Sequence, residues 1–204
     1  MTWSRAVGTP EEAVAALADP GDALDLRARG PLDDAWRALG FVVLAAGELV
    51  RPVPLVLDGP DRTRALGVRL AAGLAPGDLV VLSGPLGAGK TALTQGIGEG
   101  LGVRGRVTSP TFVLARVHRG PLPLVHVDAY RLRDAGAHAL ELDDLDLDAD
   151  LPASVVVVEW GEGLVEGLSD ARLEVRLDRP AGAPPDLRTA LVVPHGRRWA
   201  GPPG

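Results

Sequence analysis

The 204-residue sequence predicts an α/β protein: a P-loop NTPase fold with a mixed, mainly parallel central sheet flanked by helices, preceded by a small N-terminal α/β extension. Three observations carry that prediction. A glycine-rich loop, Gly84-Pro85-Leu86-Gly87-Ala88-Gly89-Lys90-Thr91, stands between an apolar run and a helix-like segment. Two later apolar runs, 122–127 and 155–158, each lead into a carboxylate, Asp128 and Glu159. The second of them is four consecutive valines, the composition of a parallel strand buried on both faces.

The elements follow in chain order. Residues 1–57 are expected to form the extension, with Thr9 capping a helix over 10–19, a second helix over 31–39 closed by Gly40, and a strand from Phe41. Trp36-Arg-Ala-Leu-Gly-Phe-Val-Val and Pro52-Val-Pro-Leu-Val-Leu faintly resemble the last helix and strands of a GNAT-type acetyltransferase, but 57 residues are too few for that domain and would be a remnant of it or an unrelated extension. Residues 58–195 are expected to form the nucleotide-binding domain and 196–204 a flexible tail. Leu66, Leu70 and Leu74 have helical spacing over 63–74, and Pro76-Gly77-Asp78 turns the chain into a buried strand over 79–83. The glycine loop is followed by a helix over 91–101 that Gly102 ends; further strands are expected over 173–177 and 191–193.

Composition narrows the chemistry. The absence of cysteine removes disulfides, thiolate metal sites and thiol nucleophiles together. A net charge of -6 and a pI near 5.2 argue against autonomous binding to nucleic acid, leaving nucleic acid as a substrate only of a larger assembly. No signal-peptide pattern and no long uncharged run are present, so a cytoplasmic protein without membrane contact is expected.

Lys90 is the only lysine; the other 20 basic residues are arginine. A phosphate-wrapping loop has room for a compact ammonium on a flexible stem, whereas a planar guanidinium imposes its own fork geometry. Backbone N–H groups of Gly87, Gly89, Lys90 and Thr91 are expected to cradle the phosphates, with the helix N-terminus adding positive dipole. The Thr91 hydroxyl is the candidate ligand of Mg²⁺, an ion that prefers oxygen donors and keeps several waters. Of the strand-end acids, Glu159 suits the metal better because its strand is the more apolar, while Asp128 either joins the metal shell or positions water. Thr108-Ser109-Pro110-Thr111-Phe112 falls where a nucleotide-sensing segment is expected. Guanine readers of the Ras type use an Asn-Lys-x-Asp motif, and the single lysine is already in the loop, so ATP is the expected nucleotide.

The ordered set Gly84–Thr91, Ser109-Pro-Thr-Phe112, His126-Val-Asp-Ala-Tyr-Arg-Leu132, Glu141-Leu-Asp-Asp-Leu145 and Val158-Glu-Trp-Gly161 resembles the TsaE family, formerly YjeE, over about residues 60–193. That resemblance implies a compact, Mg²⁺-dependent P-loop ATPase that acts with TsaB and TsaD in making threonylcarbamoyladenosine next to the tRNA anticodon. It implies that Lys90, Asp128 and Glu159 are catalytic and that Thr91, Asp128 and Glu159 are metal ligands. Leu86, Gly87, Ala88, Gly89, Lys90, Thr91, Ser109, Thr111, Trp160 and Arg188 would bind the nucleotide. Pro85 departs from the family pattern, which often has Asp there, and lacks one loop N–H.

Other features have plainer readings. The run 134–150 holds seven acids and no lysine or arginine, the pattern of a charged surface helix or of a docking face for a basic partner. Within it, Asp144-Leu-Asp-Leu-Asp-Ala starts like a calcium loop but lacks the glycine at its sixth position and the glutamate at its twelfth, so calcium binding is not expected. Arg104, Arg106, Arg116, Arg119, Arg131 and Arg133 cluster in sequence, as solvated residues or as contacts to phosphate or tRNA within the complex. His126 lies two residues before Asp128, hence on the same side of a strand, and reads as packed or hydrogen-bonded. Two alternatives to an ATPase use the same loop: a kinase of a small molecule or nucleoside, and a module that holds ATP without turning it over.

Overall fold

Strand β9 (Val155–Glu159) sets the centre of the molecule, because β-branched residues on both sides of the pleat need apolar cover on both faces. The structure, a computed structural model, describes residues 4–18, 25–29, 42–45, 48–110, 114–133 and 151–199. Around β9 lie β5 (Leu55–Asp58), β6 (Leu79–Ser83), β7 (Ala115–His118), β8 (Leu124–Asp128), β10 (Arg172–Asp178) and β11 (Leu187–His195). They form one seven-stranded sheet in the order β5-β11-β10-β6-β9-β8-β7. The inner four, β10, β6, β9 and β8, are mutually parallel. The outer strands β7, β11 and β5 pair antiparallel, which makes the sheet mixed, as expected.

Period-two alternation divides the core. Val155, Val157, Val80 and Leu82 point to one face, where they meet Leu66, Leu70, Leu93 and Ile97 from helices α2 (Pro60–Ala71) and α3 (Lys90–Gly100). Val156, Val158, Leu79 and Val81 point to the other, packed with Val125, Val127 and Val165. The helices cross closely because glycines face each other across the contact. A Cβ on Gly96 would stand 2.0 Å from the Arg64 carbonyl oxygen, and one on Gly67 would stand 2.3 Å from that of Leu93.

The N-terminal residues build a separate four-stranded sheet. Strands β1 (Ser4–Ala6), β2 (Asp25–Arg29), β3 (Val42–Ala45) and β4 (Glu48–Pro52) lie in the order β1-β2-β4-β3, with helix α1 over Pro10–Ala18. Thr9 caps α1 as expected, its hydroxyl accepting the Glu12 N–H at 3.2 Å. The helix expected over 31–39, the loop residue Thr111 and the acidic run 134–150 lie outside the described residues.

The tail expected from residue 196 is anchored at its start. Arg197–Trp199 form a 3-10 turn, Trp199 is fully buried, and Arg198 pairs with buried Asp78 at 2.9 Å. The Trp199 carbonyl accepts from Arg27 of β2, whose guanidinium also meets Asp25 at 3.0 Å and Glu48 at 2.8 Å. An indole of this size is too apolar to leave in water. The strand expected from Leu191 starts at Leu187, and the pairing partner of β5 is this late strand, so residues from Leu55 onward belong to the large sheet.

Candidate nucleotide site

The glycine loop leaves β6 and turns into α3, so its backbone passes over the carboxyl ends of the parallel strands. Gly89 is the N-cap of α3 with φ 104°, a left-handed conformation open to glycine, and no side chain caps the helix. The first N–H groups of α3 therefore point into the cleft without a capping side chain, the arrangement that suits an anion. Lys90 is 5% exposed; its Nζ donates to the carbonyls of Gly84 at 2.7 Å and Pro85 at 3.0 Å. Pro85, which has no N–H to offer, still contributes its carbonyl to Lys90 and to the Ala88 N–H.

The two strand-end acids are brought side by side. Asp128 and Glu159 are register partners in the β8–β9 pair and both are buried. Glu159 uses its two oxygens differently: Oε2 accepts the Thr91 hydroxyl at 3.2 Å, and Oε1 lies 2.8 Å from Nε2 of fully buried His126. Asp128 Oδ2 accepts the Ser109 hydroxyl at 2.9 Å, and Oδ1 accepts the Tyr130 N–H at 3.1 Å. Thus one acid is tied to the loop helix and the other to the segment that carries Ser109.

Trp160 follows Glu159 with φ 63°, a conformation that costs a non-glycine residue about 1–3 kcal/mol. That turn sets the indole against the lysine, with Lys90 Nζ 3.5 Å from the ring centroid. Tyr130 meets the indole edge-on at 5.1 Å. Together these groups enclose a cleft of about 480 Å³, a size within the range of small-molecule sites.

Most residues expected from the sequence converge here. Leu86, Gly87, Gly89, Lys90, Thr91, Ser109, Asp128, Glu159 and Trp160 line the cleft. Ala88 is buried beneath the loop, and Arg188 stands behind it, its Nε donating to the Gly87 carbonyl at 3.1 Å. Thr111 is outside the described residues. Tyr130 and His126 join the site without having been assigned to it; the two-residue spacing from His126 to Asp128 was the available signal, since it puts both on the Glu159 side of the sheet. Among the described residues no three His, Cys, Asp or Glu side chains converge as a metal cage. One hydroxyl and one carboxylate, 3.2 Å apart, instead suit an oxygen-seeking ion that takes its remaining ligands from water and phosphate.

A strand, a glycine loop and a helix on a mixed sheet, with acids at the carboxyl ends of neighbouring parallel strands, define the class: a P-loop NTPase fold. The family model described as "Threonylcarbamoyl adenosine biosynthesis protein TsaE" matches residues 57–183, and the chain belongs to the TsaE family. A Streptomyces coelicolor protein named tRNA threonylcarbamoyladenosine biosynthesis protein TsaE is 61% identical over 142 residues, spanning 67% of this chain and 93% of that protein. The Bacillus subtilis protein of the same name is 41% identical over 142 residues, 69% of this chain and 84% of its own. The crystal structure of YdiB from Bacillus subtilis superposes with a TM-score of 0.57 at 33% identity, covering 72% of this chain and 88% of that one. The N-terminal sheet, β1 to β4, precedes the span of the family match.

Proposed function

We propose that this chain binds ATP with Mg²⁺ and hydrolyses it as a cytoplasmic subunit of the machinery that forms threonylcarbamoyladenosine in tRNA, acting with TsaB and TsaD. The observation that carries the reading is the Thr91–Glu159 contact at 3.2 Å beside a lysine held inside the glycine loop. Membership of the TsaE family supports the pathway. No helix among the described residues is long and apolar enough to cross a membrane.

The residues divide the work. Backbone N–H groups of Gly87, Gly89, Lys90 and Thr91 hold the phosphates. Lys90 exchanges its carbonyl partners for phosphate oxygens, which a flexible ammonium can do without moving the backbone. Thr91 and Glu159 would hold Mg²⁺, which when bound offsets phosphate charge. His126 fixes the orientation of Glu159. Asp128 positions water or completes the metal shell, and its bond to Ser109 links that role to the sensing segment. Trp160 and Tyr130 supply aromatic walls, and Arg188 braces the loop through Gly87.

The test is phosphate release from ATP by the purified chain, alone and with purified TsaB and TsaD. Stimulation by the pair is expected. Phosphate transfer to a small acceptor would establish a kinase instead, and tight ATP binding without turnover in the presence of both partners would establish a structural nucleotide module.

A further inference from the structure

One face of α3 carries more than Thr91. Gln95 follows it by one helical turn and Gly98 by nearly two, so the three residues share a stripe along the helix. Thr91 contacts Glu159, whereas the other two hold Val107, in the segment that leads to Ser109. The Gln95 amide nitrogen donates to the Val107 carbonyl at 3.1 Å, and the Val107 side chain sits in the notch left by Gly98, where a Cβ would stand 2.8 Å from Val107 Cγ2. Val107 is buried, and a carbonyl on a buried residue needs a donor from the protein. Little else fixes this stretch. Among the described residues, Gly105, Arg106 and Val107 make no backbone-to-backbone hydrogen bond, and a cavity of about 360 Å³, lined by Arg64, Glu99 and Arg106 among others, opens where the loop faces the two helices. The orientation of the Gln95 amide follows from its partners. Arg64 of α2, which can only donate, bonds the Gln95 oxygen at 3.1 Å, and a backbone carbonyl can only accept.

We propose that Gln95 is a positioning residue for ATP hydrolysis: by holding Val107 to α3 it keeps Ser109, two residues further on, in register with Thr91 of the same helix. The inference rests on the functional reading above. Ser109 donates to Asp128, and Asp128 is the register partner of Glu159, so the two ends of the stripe converge on the two acids of the cleft. Gln95 itself does not line the cleft, and it therefore acts through Ser109 and not on the nucleotide. Without the donor to Val107 the Ser109 segment loses its tie to α3, while the glycine loop, Lys90 and Thr91 keep their places. Turnover should then fall without a matching loss of nucleotide affinity, because small displacements of positioned groups slow chemistry more than they weaken binding made elsewhere.

The experiment measures steady-state phosphate release with purified TsaB and TsaD, and ATP affinity by calorimetry, for the wild type and five variants. Gln95→Met fills a similar space without either hydrogen bond. Gln95→Glu keeps the acceptor for Arg64 and removes only the donor to Val107, so it carries the test if the methionine variant does not fold. Both should lower kcat about tenfold with ATP affinity within about twofold of the wild type. Arg64→Met, which removes only the bond from α2, should keep wild-type turnover. The double variant Gln95→Met/Ser109→Ala should be no slower than Ser109→Ala alone, since both changes break one path. A purely structural role would instead give effects that multiply. Multiplying effects, wild-type turnover in Gln95→Glu or in Ser109→Ala, or a loss of ATP affinity as large as the loss of turnover would each overturn the inference and leave the ATPase reading intact. A wild type that releases no phosphate with or without the pair overturns both.

Discussion

Substituting Gly96 by alanine should destabilise the fold through the contact between α2 and α3. The new methyl would stand 2.0 Å from the Arg64 carbonyl oxygen and 2.8 Å from its carbonyl carbon. Contacts below 3.0 Å do not persist, so the helices must part by about 1 Å at this point. The opposing atoms are backbone on a packed helix, and overpacking of that kind costs about 1–3 kcal/mol. Alanine recovers up to about 1 kcal/mol of helix propensity. Because no flexible side chain can yield, the upper part of the range applies, for a net loss of about 1–2 kcal/mol. In a chain of this size that lowers Tm by about 2–8 °C. Urea denaturation and thermal melting measure it directly, with Gly167→Ala as the comparison: a Cβ there meets nothing within 4 Å and should shift stability by less than about 0.5 kcal/mol. A Gly96→Ala protein as stable as the wild type would refute the claim that the helix contact is rigid. The same variant should weaken nucleotide binding, since α3 carries Lys90 and Thr91.

Further outcomes bear on the site and on pH. Lys90→Ala should abolish ATP binding measured by calorimetry, and Lys90→Arg should not restore it, because the guanidinium cannot occupy the pocket between the Gly84 and Pro85 carbonyls and the Trp160 ring. Glu159→Ala should lose Mg²⁺-dependent turnover while keeping the wild-type circular dichroism spectrum; wild-type hydrolysis in this variant would remove Glu159 from the metal role. Glu174 is opposed by burial, but the hydrogen bond from Arg176, the nearby His195 and the pairing with Arg172 outweigh that and hold its carboxyl below the ordinary glutamate range of about 4.3. A depressed folded-state value contributes stability above the unfolded-state value and loses it as pH falls through the folded one. Glu174→Gln should therefore be less stable than the wild type at pH 7, with the gap closing under acid, and a constant gap across that range would contradict the assignment.

Much of the P-loop unit was legible in sequence because its signals are local. The buried strand over 79–83, the valine run into Glu159 and the helix after the glycine loop each declare themselves within a dozen residues. Strand β7 did not, since Ala115-Arg116-Val117-His118 is short and half polar, as an outer strand can be. The partnership of β5 with β11 was hidden for a different reason: it joins segments at opposite ends of the domain, and no local pattern encodes which strands will meet. The site shows the same division. Lys90, Thr91, Asp128 and Glu159 followed from motif and strand ends, whereas the bond from His126 to Glu159 and the indole over Lys90 depend on cross-strand register and on one left-handed residue, Trp160. The anchoring of Trp199 was missed because a lone tryptophan among glycines and prolines near a chain end reads as tail.

Because β11 lies between β10 and β5, the strand synthesised after the other six of the large sheet is an interior one. On the ribosome, β6, β8 and β9 can pair around the glycine loop while β10 still presents an open edge and β5 has no neighbour. Unpaired edges of this kind are where nascent chains associate wrongly. Residues 187–199 then close the gap in one step, inserting β11 and seating Trp199 beneath Arg27. A message that ends before this stretch would yield nearly every residue of the candidate cleft on a sheet that cannot be completed.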